Sequence, residues 1–354
     1  MISGSLDADL DEVLGLTETL WPELRGARLL VTGGTGFIGC WLLESFLRAN
    51  QRFDLGASAV VLTRNPDAFS QKAPHLAASP HLELVKGDVL RLPDLEGDFS
   101  HVLHGATDAS VKLVEENPHL MFETIVSGTR QVLEFARRKK ASRTLFLSSG
   151  AVYGRQPVEL EKVPETWAGG PPCSEAQSAY AEGKRAAETL CAIFTKQHQV
   201  PAAIARCFAF VGPHLPLDAH FAIGNFIRDA MAGGPIQVQG DGTPLRSYLY
   251  ASDLTAWLWH LLVRGEPGVP FNVGSEEAVS IADLARTVRE VLGGGEVHVH
   301  GQPDPARKPE RYVPSTERIR SRLGLAPTVS LREGIRRTAA WHRGRYHAPR
   351  DPNA

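Results

Sequence analysis

The sequence predicts an α/β protein in which a doubly wound parallel sheet is followed by a smaller C-terminal α/β lobe. Three observations carry this. The apolar run Arg28 to Thr32 breaks into Gly33, Gly36 and Gly39 and continues into a helical pattern. Short apolar runs then alternate with helical patterns as far as about residue 200. The 354 residues exceed one average domain, which leaves chain for a second lobe.

Residues 1–26 precede the first strand, and Leu6, Leu10, Val13 and Leu14 mark one stripe of a short helix opening near Asp7. This added arm either covers the edge of the domain or contacts another subunit. Arg28 to Thr32 reads as a buried parallel strand. Phe37 to Ala49 reads as the helix after it, with Ile38, Trp41, Leu42, Ser45 and Phe46 at helical spacing. Gly33 to Gly39 is then a strand-to-helix turn with glycines three apart. A dinucleotide needs glycines in such a turn for a tight bend, close backbone approach to pyrophosphate and close packing of helix on strand. The helix N-terminus adds unpaired N–H groups and partial positive charge. Gly33, Thr35, Gly36, Phe37, Ile38 and Gly39 are the candidate cofactor residues of this turn.

Ala59 to Thr63 is the second strand, and the carboxyl end of this strand in a Rossmann-type sheet meets the adenine ribose. Thr63 and Arg64 stand there. An acid would accept from a 2′-hydroxyl, whereas arginine beside a small hydroxyl suits a 2′-phosphate, so NADP(H) is favoured over NAD(H). A solvated surface arginine is the alternative. Leu82 to Lys86 is the third strand and leads to Asp88 and Val89, where Asp88 either meets the adenine or caps a turn. His101 to His104 is the fourth, running into Gly105, Ala106 and Thr107, small residues against which a flat ring can lie. His104 is expected as a packed core histidine. Pro118 to Lys139 has a long helical pattern with Leu120, Ile125, Val132, Leu133 and Phe135 inward and cations at its C-terminal end. Arg143 to Ser148 is the fifth strand, and at its carboxyl end, where such sheets bind ligands, come Ser149, Gly150 and Ala151.

After a Pro- and Gly-rich stretch (155–178), Tyr180 to Lys184 opens a helix that runs to about His198, with Tyr180 and Lys184 on one face. A free tyrosine has a pKa of about 10, too high for a base at neutral pH. A nearby ammonium and an oxidised nicotinamide both favour the phenolate, which makes tyrosine usable as acid or base. Lys184 is expected to depress the Tyr180 pKa and to bind the nicotinamide ribose, while Ser149 holds the substrate oxygen that gains or loses the proton.

Composition excludes several classes. Lys and Arg number 38 against 40 Asp and Glu, a net charge of −2, so no global field attracts nucleic acid or an anionic membrane. Cys40, Cys173, Cys191 and Cys207 have no metal-type spacing, and no metal site is expected. No apolar run approaches about 18 residues, and Asp7, Asp9, Asp11 and Glu12 stand where a leader would carry cations. The expectation is a cytoplasmic protein without a membrane partner.

Taken together, the motifs over residues 28–340 resemble an extended short-chain dehydrogenase/reductase of the nucleotide-sugar epimerase/dehydratase family. The resemblance implies a cofactor turn at Gly33, Gly36 and Gly39 and a catalytic set of Ser149, Tyr180 and Lys184. The segment Gly240 to Tyr248 is similar to the family's nucleotide-contacting segment, which makes Arg246 a phosphate ligand; an arginine fork suits a diphosphate. Arg311 or Arg307 is a second phosphate contact or a surface ion pair, and Gly150, Ala151 and Asn225 are further substrate-site candidates. The implied partners are a nucleotide-diphosphate sugar and a second subunit, paired through a four-helix bundle of Pro118 to Lys139 and Tyr180 to His198. The implied division is an arm (1–26), a Rossmann domain (27–211), a mainly substrate-binding lobe with some chain crossing back (212–345) and a tail (346–354).

Departures narrow the chemistry. Family dehydratases carry an acidic pair, or Ser-Glu, directly after the catalytic hydroxyl residue, whereas this chain has Gly150 and Ala151. Expulsion of a C6 hydroxyl then lacks its proton donor unless Glu182 or His104 substitutes. The main expectation is hydride transfer at C4, ending in epimerisation or in 4-keto reduction. Decarboxylation of a nucleotide-linked uronic acid, or dehydration, is the alternative, and an NADP(H) sensor without turnover a remote one.

Overall fold

The computed structural model describes residues 6–107, 115–219 and 221–346. Seven strands form its main sheet: β1 (Arg28–Thr32), β2 (Ser58–Thr63), β3 (Leu82–Lys86), β4 (His101–His104), β5 (Arg143–Ser149), β6 (Ala202–Cys207) and the strand Pro270–Val273. Across the sheet the order is Pro270–Val273, β6, β5, β4, β1, β2, β3, and every pairing is parallel. The chain reverses direction of travel between β1 and β4. That switch point opens a crevice at the carboxyl ends of the strands. The central strands are apolar because helices cover both faces: Leu29, Leu30 and Val31 are all buried.

Helices Phe37–Phe53, Pro118–Arg138 and Ala179–His198 flank the sheet. The last two pack closely, with Ile125 against Gly183, where an added Cβ would lie 3.2 Å from Ile125 Cδ1. Leu120 does not turn inward as the periodicity predicts: it is exposed, as are Phe122 and Ile193.

The C-terminal half returns to the sheet more fully than a lobe boundary at 212 suggests. Strand Pro270–Val273 adds to its edge, and the buried helix Ala251–Arg264 lies beneath it, with Trp259 packed 5.0 Å from Trp21 and 6.4 Å from Phe46 between ring centroids. The smaller lobe proper has its own core of Ile223, Phe226, Ile227, Leu284, Val288 and Ile335 from three helices. A three-stranded sheet joins lobe to crevice: Leu245–Arg246 pairs with Val279–Ser280 and with Arg311–Tyr312.

The N-terminal helix Asp7–Thr17 packs on the domain through Leu10, Val13 and Leu14. Asp9 accepts hydrogen bonds of 2.6 Å from both Tyr250 Oη and the Arg337 guanidinium, which also reaches Glu12. The arm therefore straps the first helix to the last. Most of the tail, residues 347–354, lies outside the described residues.

Candidate active site

The glycine turn sits at the switch point, and each glycine answers to a different constraint. Gly33 has φ +75°, and a Cβ there would lie 2.5 Å from the Gly105 carbonyl carbon of the neighbouring strand's exit. Gly39 lies in the helix facing back on the turn, where a Cβ would meet Gly33 O at 2.3 Å. Gly36 is different. A Cβ there would make only ordinary contact, 3.5 Å from Gly33 O, so the protein itself does not require glycine at this position. Gly36 is the N-cap of helix Phe37–Phe53, and the space beside it suits the pyrophosphate of a dinucleotide.

Across the crevice, Thr32 O accepts the Gly105 N–H (3.0 Å) and Thr32 Oγ1 the Ala106 N–H (3.3 Å), fixing the β4 exit beside the turn. Lys184, almost fully buried, donates to Leu147 O (2.7 Å) and Thr107 Oγ1 (3.1 Å). Burial pushes its ammonium down to about 8, so the three contacts that hold it, the third being the Phe146 ring at 4.9 Å, offset a costly desolvation. Glu188, one turn further along the same helix, grips Arg206 on β6 (2.7 Å) and Ser148 Oγ (2.6 Å), which locks the helix against the sheet.

Ser149 ends β5 and caps the short 3₁₀ turn Gly150–Tyr153, its Oγ accepting the Ala151 N–H at 3.1 Å. Tyr180 and Tyr312 both face this hydroxyl. Burial raises the Tyr180 phenol above its ordinary range, Ser149 opposes that rise and Cys207 adds to it. This departs from the expected depression by Lys184. The ammonium is turned onto Leu147 and Thr107, 5.9 Å from the Tyr180 ring centroid, and does not offset the desolvation.

Tyr312 is the residue that sequence reasoning missed. Its strand, Arg311–Tyr312, comes from far along the chain, and its register with Leu245–Arg246 places Tyr312 opposite Arg246, whose guanidinium lies 5.9 Å from the Tyr312 ring centroid. Arg246 is thereby brought beside the hydroxyl cluster. Arg311, the neighbouring strand position, takes the opposite side from Tyr312. Arg307 ends in an exposed pair with Glu310 at 3.5 Å, and Asn225 in a hydrogen bond with Arg228 at 3.3 Å.

A family model described as the NAD dependent epimerase/dehydratase family matches residues 29–274, which include the glycine turn, Ser149, Tyr180 and Lys184. The chain belongs to this family. It is 33% identical over 318 residues to UDP-glucuronic acid decarboxylase 1 of Arabidopsis thaliana, covering 90% of this chain and 70% of that protein. It is likewise 33% identical to UDP-glucuronic acid decarboxylase 5 of the same plant, with 87% of each chain covered. In fold it is similar to UDP-glucose 4-epimerase of Thermotoga maritima solved with UDP-glucose, at TM-score 0.76 and 20% identity over 90% of this chain and 100% of that one. It is also similar to dTDP-glucose 4,6-dehydratase of Streptomyces venezuelae solved with NAD, at TM-score 0.74 and 24% identity over 89% and 97%.

The carboxyl end of β2 holds Thr63, followed by Arg64, and a second cation that sequence reading did not place there stands nearby. Lys72 closes the helix Pro66–Lys72 and donates to Thr35 O in the glycine turn at 2.8 Å. Asp88 makes the turn-capping contact, accepting the Leu90 N–H at 2.9 Å, and Val89 beside it is buried. His104 sits between Thr32 Oγ1 (2.7 Å) and Thr129 Oγ1 (3.0 Å), and burial pushes it down to about 3. It is a neutral core histidine. Glu182 pairs with Arg185 on the same helix at 3.5 Å. Among the described residues no group of His, Cys, Asp and Glu has the arrangement to hold a metal, and no helix is long and apolar enough to cross a membrane.

Proposed function

We propose that this chain is an NAD(P)-dependent enzyme that decarboxylates a nucleotide-linked uronic acid by transient oxidation at C4. One observation carries the reading. The oxygen site at the end of β5 offers three hydroxyls, on Ser149, Tyr180 and Tyr312, and no carboxylic acid at 150 or 151. Expelling a C6 hydroxyl needs an acid there, whereas loss of CO2 needs only donors on the C4 oxygen.

NAD(P), when bound along the glycine turn, supplies the hydride acceptor and donor. Tyr180 takes the C4 hydroxyl proton at Oη, and Ser149 hydrogen-bonds the same oxygen. With C4 at the ketone level, the C6 carboxylate stands β to a carbonyl. The C5–C6 bond breaks, CO2 leaves, and the electron pair moves onto the C4 oxygen, where the hydroxyls hold the developing charge. A proton then enters at C5, and Tyr180 returns its proton to the C4 oxygen as the alcohol is restored. Arg246 grips the diphosphate. The decarboxylase relatives support the same choice. Exposed Leu120, Phe122 and Ile193 on the two paired helices support a homodimer through a four-helix bundle.

The test supplies UDP-glucuronic acid labelled with ¹³C at C6 and a catalytic amount of NAD⁺. Labelled CO2 released in step with a UDP-pentose supports the reading. An untouched uronic acid, with epimerisation of a neutral UDP- or dTDP-hexose instead, would overturn it.

The second reading, C4 reduction of a 4-keto sugar nucleotide, is favoured by Arg64 and Lys72, two cations at the adenosine end where a 2′-phosphate would sit. Arg64→Ala and Lys72→Ala are each expected to weaken NADPH binding about tenfold and leave NADH binding nearly unchanged. Fluorescence titration of the stripped protein checks this, and equal losses for the two cofactors would remove the basis for NADP(H).

A further inference from the structure

We propose that Arg206 is a positioning residue for the reaction: by gripping Glu188 it holds the helix that carries Tyr180 and Lys184 in register with Ser149. The inference deepens the reading of those three residues given above and rests on it.

Helix Ala179–His198 meets the end of β5 through two consecutive contacts. Lys184 donates to Leu147 O at 2.7 Å, and Glu188, one turn on, accepts from Ser148 Oγ at 2.6 Å. The next strand residue is Ser149. Tyr180, Lys184 and Glu188 follow one another at intervals of four, so the anchored stripe of the helix is the one that carries the phenol. A slip at Glu188 moves Tyr180 relative to Ser149.

The side chains of Arg206 and Glu188 are only 13% and 11% exposed. In an ion pair this enclosed, desolvation offsets most of the attraction, so its main contribution is direction rather than stability. The guanidinium fork is fully used. Arg206 Nε donates to both Glu188 oxygens (3.0 and 3.2 Å) and Nη2 to Oε2 (2.7 Å), while Nη1 donates to Tyr153 Oη (2.8 Å) and Glu165 O (3.4 Å). A lysine would keep the charge and lose the fork.

Arg206 is itself braced. Its guanidinium carbon lies 4.7 Å from the Tyr153 ring centroid, and Tyr153 Oη donates to Asn272 Oδ1 at 2.7 Å. Asn272 Nδ2 donates in turn to Val163 O and Ser315 O, each at 2.9 Å. Burial pushes the Tyr153 phenol up to about 12, so it stays a donor near neutral pH. The clamp on the catalytic helix thus rests on the edge strand Pro270–Val273 and on the stretch that follows Tyr312, not on solvent.

The experiment titrates the Tyr180 phenol by ultraviolet absorbance, as the difference between each protein and the same protein carrying Tyr180→Phe. Tyr180 is faced by Ser149 from β5, Cys207 from β6, Tyr312 from the lobe and Lys184 from its own helix, and burial holds its phenol above the ordinary range. Arg206→Lys is expected to lower the Tyr180 titration by about one pH unit, because a helix released from β5 lets water reach the phenol. With UDP-glucuronic acid, kcat per folded enzyme is expected to fall about a hundredfold, with KM within about twofold. Deuterium at C4 should slow the variant more than the unaltered protein, since misalignment makes hydride transfer the slow step. A slower reaction with a more readily ionised phenol is the mark of lost alignment. Glu188→Gln keeps the side-chain shape and should move both readouts the same way by less; it decides the matter if Arg206→Lys does not fold. An unchanged Tyr180 titration, or a kcat per folded enzyme within about threefold, overturns the proposal and leaves Arg206 as a stability contact. The titration needs no substrate. If it shifts while no uronic acid is decarboxylated, the Arg206 assignment stands and the reaction reading falls.

Discussion

Replacing Tyr180 by phenylalanine is expected to lower turnover by about a thousandfold or more while leaving the fold and cofactor affinity nearly unchanged. Among the described residues, the phenol is the group to which the proposed reaction gives the proton of the substrate hydroxyl. Lys184 is committed to Leu147 and Thr107, His104 is neutral and enclosed, and Glu182 is paired with Arg185. The raised Tyr180 titration adds a pH signature. An acid whose pKa is lifted in the folded state is protonated at neutral pH, so oxidation at C4 should speed up as pH rises. Bound oxidised nicotinamide, being cationic, should draw the acidic limb down. Steady-state rates from acidic to mildly alkaline pH, with a thermal melt of the variant, check both statements. A variant that retains more than about a tenth of the rate would remove Tyr180 from the proton path.

The second large effect falls on the turn. Gly33→Ala is expected to cost about 3 kcal/mol of stability and to reduce dinucleotide binding below detection. Two terms add. A side chain at φ +75° is strained, and its Cβ would be driven to 2.5 Å from Gly105 backbone atoms, which cannot move without parting β1 from β4 at the crevice. Gly36→Ala, with only an ordinary 3.5 Å contact inside the protein, should keep its stability and lose cofactor alone. Urea unfolding with a cofactor titration separates the two. Equal stability losses at both positions would mean that the turn glycines serve folding rather than a ligand.

Much of this was legible in the sequence wherever the governing physics is local. Strand β1, the three glycines and the helix after them follow from chain geometry within about a dozen residues, and Tyr180 and Lys184 share a face because a helix repeats every 3.6 residues. Leu120 shows the limit of such reasoning, since periodicity names an apolar stripe but not what covers it. The solvent face of helix Pro118–Arg138 carries Leu120 and Phe122. The coarse plan of a sheet domain with a following lobe and some chain crossing back is a reading of the sequence, but the pairing of Pro270–Val273 on the β6 edge of the sheet comes only from the structure.

The sequence by itself determined the doubly wound sheet, the strand–glycine turn–helix at Gly33 to Gly39 and the shared helix face of Tyr180 and Lys184, because strand-to-helix sterics and helical spacing act over short stretches of chain. Only the tertiary structure decided that Lys72 folds back onto Thr35, that the N-terminal arm is strapped to Arg337, and that Tyr312 reaches Ser149 across the space Gly150 leaves open. Those contacts join residues that are 37, 328 and 163 positions apart. Nothing in the local pattern encodes them; they arise when segments distant in the chain pack together to the density of a protein interior.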